Sequence, residues 1–366
     1  MTKKERFQAV REKRAPDCMP VYTKVKSQMV YGHGLMLPDI TGQNRYDIDM
    51  ITEAVLANIK NCDFDVAIPY YQDPGLGVPP LGGKFNIPDK FGLAVSNLPD
   101  MPVKTKADWP KVKKLLACFD VRKTDPRMKG ALEVIKNVSQ DLADEVPLVP
   151  FHSVGVQAAM FLLRQDELVL QDMYEDPNWV DEMCRLATDF AIDWIRAQYE
   201  AGANSATFVA EGMGTSMASP EMNERFNLEN IGRLAEVVRK EFNQGTWIHL
   251  HGDFSKPKAY EFLTKLVTQA GIEGFHLDEL NPPDWIKAEV IDKLGVSACV
   301  VIDGGIILNG PEAQIKESVK SELSKIGDGL GFMMAPSCQL LPATSNENFR
   351  AWVDATHSYG EFSLKS

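Results

Sequence analysis

Along this chain, short runs of β-branched and aromatic residues alternate with longer stretches whose apolar positions recur every three to four residues. That alternation is the pattern of βα units wound around a parallel sheet. The runs predict strands at Met19–Thr23, Asp65–Tyr71, Pro147–Ser153, Ser205–Glu211, Thr246–His251, Gly274–Leu280, Ala298–Asp303 and Gly331–Cys338. Eight strands favour a single closed (β/α)₈ barrel of the TIM type over an open sheet. An open doubly wound sheet normally carries a glycine fingerprint after its first strand. Here Lys24–Tyr31 follows the first strand, and no glycine occurs until Gly32.

Helix signals fill the gaps between the strands. Asp176 is placed to cap a helix starting at Pro177, whose Val180, Met183, Cys184, Ala187, Phe190, Ala191, Trp194 and Ile195 keep 3.6-residue spacing. Ser219–Pro220 repeats the cap-then-proline start, Ile231–Phe242 and Lys256–Ala270 read as later helices, and Trp179 and Trp194 read as packing residues. The stretch 72–145 is too long for a plain βα connection. Its first part is crowded with Gly and Pro, with Pro74, Pro79 and Pro80 stiffening it, while Thr124–Leu142 looks helical. The chain is therefore expected to be one domain over 1–366, with 72–145 an excursion over the barrel mouth.

Polar residues collect where these strands end. Tyr70 and Tyr71 end the second strand, His152 the third, Glu211 the fourth, His249 and His251 the fifth, Asp278 the sixth, Asp303 the seventh and Cys338 the eighth. In a (β/α)₈ barrel such positions face the active-site mouth. His249 and His251 are two apart, so both imidazoles project to one face while Leu250 packs outward. Each has a plain alternative, as hydrogen-bonded barrel histidines and, for Cys338, a small buried hydrophobe. Taken together, two neutral imidazoles and a thiolate are good zinc ligands, with a fourth position left for a carboxylate, water or substrate. Glu211 is the first candidate for that position and Asp278 the second. Tyr70, Tyr71, His152 and Asp303 are candidate substrate contacts, and His276, Asp278 and Glu211 candidate catalytic or orienting groups.

Composition narrows the function classes. A formal net charge of −12 argues against nucleic acid or an anionic membrane as the main partner. The polar N-terminus MTKKERFQAVREKR lacks the apolar stretch of a signal peptide, and no apolar run approaches membrane-span length. Cys18, Cys62, Cys118, Cys184, Cys299 and Cys338 are scattered, so reduced thiols and a cytoplasmic location are expected. No GxxxxGK[ST], HExxH or GxSxG motif is present. The outer helices show no uniquely apolar face, so a homodimer is compatible with the sequence but not specified by it.

Three segments carry a family resemblance. AGANSATFVAEGMGTSMASPEMNERF (201–226), IHLHGD (248–253) and GFMMAPSCQLLPATSNENFRAWVDA (331–355) resemble the corresponding stretches of the uroporphyrinogen decarboxylase superfamily. One branch of that superfamily decarboxylates uroporphyrinogen without a metal. The other comprises zinc-dependent methyltransferases that exchange methyl groups between a corrinoid protein and a small molecule. The decarboxylase branch is marked by an arginine-bearing N-terminal run. The stretch here, MPVYTKVKSQMVYGHG, has no arginine, which counts against clamping a polycarboxylate.

The resemblance to the methyltransferase branch implies zinc ligands at His249, His251 and Cys338, with His251 standing where the family usually has cysteine. A single thiolate leaves zinc more electrophilic, which suits an ether or phenolate oxygen. The favoured expectation is thus O-demethylation of a small methoxylated substrate, the methyl passing to the cobalt of a corrinoid (cobalamin). No D-x-H-x-x-G corrinoid-binding segment appears, so the corrinoid is expected on a partner protein. The alternatives are methyl-corrinoid to thiol transfer of the coenzyme M type, a metal-free decarboxylase, and a non-catalytic binding barrel.

Overall fold

The computed structural model describes residues 1–73, 75–92, 100–211 and 214–362, without the side chains of Glu211, Thr215 and Ser216. A small antiparallel hairpin, β1 (Thr41–Gly42) with β2 (Arg45–Tyr46), lies outside the main sheet. The main sheet is parallel and runs in chain order through β3 (Phe151–Ser153), β4 (Thr207–Glu211), β5 (Thr246–Leu250), β6 (Gly274–Leu277), β7 (Ser297–Ile302) and β8 (Phe332–Pro336). Two shorter segments complete the ring. Residues 21–24 bridge β8 at Val21–Met334 and residue 66 at Tyr22–Val66, and Ala67 bridges Leu148, just before β3. Backbone hydrogen bonds follow the same path, from Tyr22 N to Met334 O (2.9 Å), Val66 N to Val21 O (3.0 Å) and Val149 N to Ala67 O (2.9 Å). The expected (β/α)₈ closure is therefore present, and its first two strands are much shorter than their apolar runs.

The helices start where their caps are. Asp176 accepts from Trp179 N at the head of Pro177–Glu200, and Asp125 accepts from Arg127 N at the head of Pro126–Leu142. Proline at the first helical position suits both starts, since its missing N–H has no partner there anyway. Pro126–Leu142 packs beside Ile48–Cys62, so the end of the long 72–145 stretch behaves as a barrel helix. The first part holds the short turn Pro79–Leu81 and an antiparallel bridge from Lys84 to Asp100; Pro74 lies outside the described residues.

Register fixes what faces the barrel axis. Phe151, Phe208, Trp247 and Gly274 form one row across β3 to β6, and Ser153, Ala210, His249 and His276 the row two residues further on. Side chains alternate, so both rows share a face, while Leu250 and Leu277 turn to the other and are fully buried beneath helices. The lower row is an aromatic floor. Tyr22 stacks on Phe208 (4.4 Å between centroids), Phe208 on Trp247 (5.4 Å), and Phe7 of the N-terminal helix Lys3–Arg11 packs under Trp247 (5.8 Å). Gly274 makes room for the Trp247 indole, because a Cβ there would lie 2.2 Å from the ring.

Candidate metal centre

Above the aromatic floor the axis becomes polar. His249 is buried in the upper row, and its Nδ1–H donates to the His276 carbonyl (3.0 Å). A carbonyl only accepts, so the bond fixes the tautomer and leaves His249 Nε2 with its lone pair towards the mouth. Burial, reinforced by His276, holds His249 well below the ordinary imidazole range, so it is neutral. His251, one turn of the pleat further up, presents Nε2 at 3.0 Å from His249 Nε2. Its Nδ1–H donates to Asp278 Oδ2 at 3.3 Å.

Asp278 lies just past the end of β6, and the chain there ties its carboxylate down. Oδ2 also accepts from Gly252 N (2.8 Å), and Oδ1 from Leu280 N and Asn281 Nδ2 (both 3.2 Å). Burial alone would raise its pKa, but His251 and these amides hold it below the usual carboxylate range. With its oxygens so engaged, Asp278 acts on the centre through His251.

Cys338 arrives from the far side of the ring, two residues after β8. One ligand atom each from His249, His251 and Cys338 lies within 4.8 Å of the others, a group that could hold a metal ion. Electrostatics favour the ligating forms. Burial raises the Cys338 thiol, but Lys24, His251 and Lys26 outweigh it and bring the pKa down to about 6. His251 is pushed up to about 9, first by Asp278 and then by Cys338. Two Nε2 atoms facing each other at 3.0 Å need a cation between them, either the extra proton of an imidazolium or a metal. The β4 loop closes over this spot at Gly214 (φ +50°), where a Cβ would meet the His251 carbonyl oxygen at 2.1 Å.

The other expected residues are distributed unevenly. His276 is buried one strand over, and its Nε2–H donates to Pro336 O (2.7 Å); burial takes its pKa down to about 3. Tyr70 and His152 line a pocket beside the centre. Tyr70 donates to Phe151 O (3.0 Å), and His152 Nδ1–H to Ser153 O (2.8 Å). Tyr71 is buried with its carbonyl accepting from Tyr46 Oη, away from the pocket lining. Asp303 is exposed and accepts from Gly305 N (2.7 Å), capping Gly304–Asn309. The Glu211 side chain lies outside the described residues; its backbone pairs in register with Leu250, one position from both His249 and His251.

Sequence reasoning passed over Lys24, Lys26, Gln72 and Trp194. Lys24 is buried over the Phe151 ring (5.5 Å), and Trp194, expected as packing, also walls the pocket. The signal available was lysine at two same-face positions of a strand end, in the stretch read only for its lack of arginine.

A closed parallel barrel with a His–His–Cys group at the C-terminal ends of its strands defines the class, a TIM barrel built to present a mouth-side centre. Residues 2–359 match the uroporphyrinogen decarboxylase (URO-D) family, and the chain belongs to that family. A uroporphyrinogen decarboxylase of Anaeromyxobacter dehalogenans (strain 2CP-C) is 26% identical over 332 residues, 85% of this chain and 86% of the relative. That of Pseudoalteromonas atlantica (strain T6c / ATCC BAA-1087) is 22% identical over 334 residues, 85% and 83%. A solved methyltransferase from Methanosarcina mazei matches with a TM-score of 0.76 at 20% identity, covering 98% of this chain and 99% of that one. At that identity the likeness speaks for the fold. No helix among the described residues is long and apolar enough to cross a membrane.

Proposed function

We propose that this chain is a zinc-dependent methyltransferase that moves a methyl group between a small molecule and the cobalt of a corrinoid on a separate protein. The favoured reaction is O-demethylation of a methoxylated compound. The observation that carries the reading is the convergence of His249, His251 and Cys338 within 4.8 Å at the barrel mouth. The donor set fits zinc, with two imidazoles oriented by acceptors on Nδ1 and a thiol already biased to thiolate. Bound there, zinc supplies a Lewis acid that stabilises negative charge on an oxygen losing its methyl group.

The chain's own residues do the rest. The His276 carbonyl and the Asp278 carboxylate hold the two imidazoles in their ligating tautomers. Lys24 and Lys26 keep the thiol ionised. Tyr70 and His152 contact the substrate in the adjoining pocket, while Tyr71 and Asp303 act through the loops they anchor. Glu211 is the carboxylate we propose would help His249, His251 and Cys338 hold the zinc. We also take the whole chain as one working domain. Val103 N bonded to Leu163 O (2.8 Å) and Arg164 Nη1 to Lys104 O (2.7 Å) support an excursion tied to the barrel.

A metal-free decarboxylase is the second reading, and the names of the curated relatives favour it. Elemental analysis of protein purified without chelators separates the two, alongside His251→Ala and Cys338→Ala. Near-stoichiometric zinc, lost in both variants, together with methylation of a cobalt(I) corrinoid by methoxylated aromatics, is expected. Metal-free parent protein, or zinc retained in both variants, overturns the zinc reading.

A further inference from the structure

The pocket beside the centre holds more hydrogen-bond donors than the protein uses. Lys26, two residues past Lys24 and at the head of the helix Ser27–Gly32, lines the pocket and makes no hydrogen bond or ion pair among the described residues. Gln72 is 6% exposed, yet neither its carboxamide oxygen nor its nitrogen has a hydrogen-bond partner. Trp194 is fully buried and its indole N–H is likewise unpartnered. Gln72 and Trp194 approach the Tyr70 hydroxyl and oppose the rise that burial gives its pKa, but neither meets hydrogen-bond geometry there, and the hydroxyl spends its proton on Phe151 O. Buried donors left open are costly, so three on one wall call for an acceptor-rich ligand.

The remaining charges on that wall are already settled. Asp73 is matched by buried Arg127 and also accepts from Gly75 N (2.9 Å) and Thr41 Oγ1 (3.3 Å). Burial takes His152 down to about 4, so it adds no charge. Lys26 is brought down to about 8 by burial and by Lys24, so an anion placed against it relieves a standing penalty. The other walls, Phe151 and Leu162 among them, are apolar, the lining usual for a small-ligand site.

We propose that this pocket recognises a carboxylate on a ring-sized apolar body, with Lys26 as its charge partner and Gln72 and the Trp194 N–H as its hydrogen-bond donors. Lys26 is then the residue that selects acids over neutral analogues. The proposal deepens the methyl-transfer reading by giving the methoxylated substrate a negative charge, and its test is one of binding alone. 4-Methoxybenzoate and methoxybenzene are titrated calorimetrically into the parent, Lys26→Met, Lys26→Arg and Gln72→Leu. Thermal unfolding of each variant checks that the fold is kept.

The parent should bind the acid more tightly than methoxybenzene. Lys26→Met should weaken the acid by roughly 10- to 100-fold, the range for a charged hydrogen bond, and leave methoxybenzene unchanged. Lys26→Arg should recover most of the loss, and Gln72→Leu should show a smaller loss of the same kind. Equal affinity of the parent for both probes, or equal effects of Lys26→Met on both, overturns the proposal. If Lys26→Met does not fold, the parent's preference and Gln72→Leu decide it. Acid binding that depends on Lys26 without methyl reaching cobalt sinks only the methyl-transfer reading. Turnover of methoxybenzene with no Lys26-dependent acid binding sinks only this one.

Discussion

Metal affinity at the His249–His251–Cys338 group should rise with pH at a rate set by one proton. In the metal-free protein Cys338 titrates near 6 and His251 near 9, while burial, reinforced by His276, keeps His249 neutral throughout. Between those values the resting state pairs a thiolate with an imidazolium whose Nε2–H points at His249 Nε2, 3.0 Å away. A metal must expel that proton before His251 can ligate. The association constant therefore gains one logarithmic unit per pH unit from about 6 to about 9, levels off above, and steepens to two units below. From pH 6.5 to 8.5 the gain is about 100-fold, or ~2.7 kcal/mol at 1.36 kcal/mol per unit. Competition for zinc against a fluorescent chelator, corrected for the chelator's own protonation, reads the slope directly. Asp278→Asn removes the largest cause of the raised His251 pKa, so its plateau should begin at lower pH. A flat profile for the parent between pH 6.5 and 8.5 would refute the reasoning, because it would mean that no ligand carries a proton to displace.

Other substitutions test the surrounding structure. Arg127→Met strands the buried Asp73 carboxylate, both side chains of the pair being fully buried, and should cost roughly 3–5 kcal/mol in denaturant unfolding; a loss below 1 kcal/mol would mean that Asp73 finds other partners. Gly274→Ala drives a methyl into the Trp247 ring and should cost about 1–3 kcal/mol, with altered tryptophan fluorescence, whereas an unchanged spectrum and melting curve would contradict the packing described. Gly214→Ala combines a left-handed backbone with a clash at the His251 carbonyl, a strain on the order of 1–3 kcal/mol. It should weaken zinc binding more than it lowers thermal stability, and the opposite order would place Gly214 outside the centre's support.

Where the sequence was informative, the reason is periodicity. His249 and His251 share a face because a strand alternates, and the Pro177 helix begins at its capping Asp176. Cys338 could be placed at the mouth only through the expected closure of the ring, a contact between distant strands that no local pattern encodes. The ends of β3 and β4 match at Ser153 and Glu211, while those of β5 to β8 were overrun by one to three residues, since the runs continue past the last ladder bond into loops such as Asp278–Leu280. Asp303 illustrates the same ambiguity, because a carboxylate ending a strand also caps the next helix, and the cap holds it here. Lys26 and Gln72 were illegible for another reason. Their interest lies in partners they lack, and an unmet hydrogen bond leaves no mark in a linear pattern.

The aromatic floor makes the barrel one-ended. With Phe7, Tyr22, Phe208 and Trp247 filling the base, the histidines open to solvent only on the side where the strands finish. On the methyl-transfer reading, the small substrate and the bulky carrier must therefore share a single doorway. Traffic through one doorway is sequential, so the small molecule loads first, the carrier then seals it in, and the demethylated product waits for the carrier to leave. Steady-state kinetics with both reactants varied should accordingly follow a compulsory order, written into the molecule by four rings at the opposite end from the chemistry.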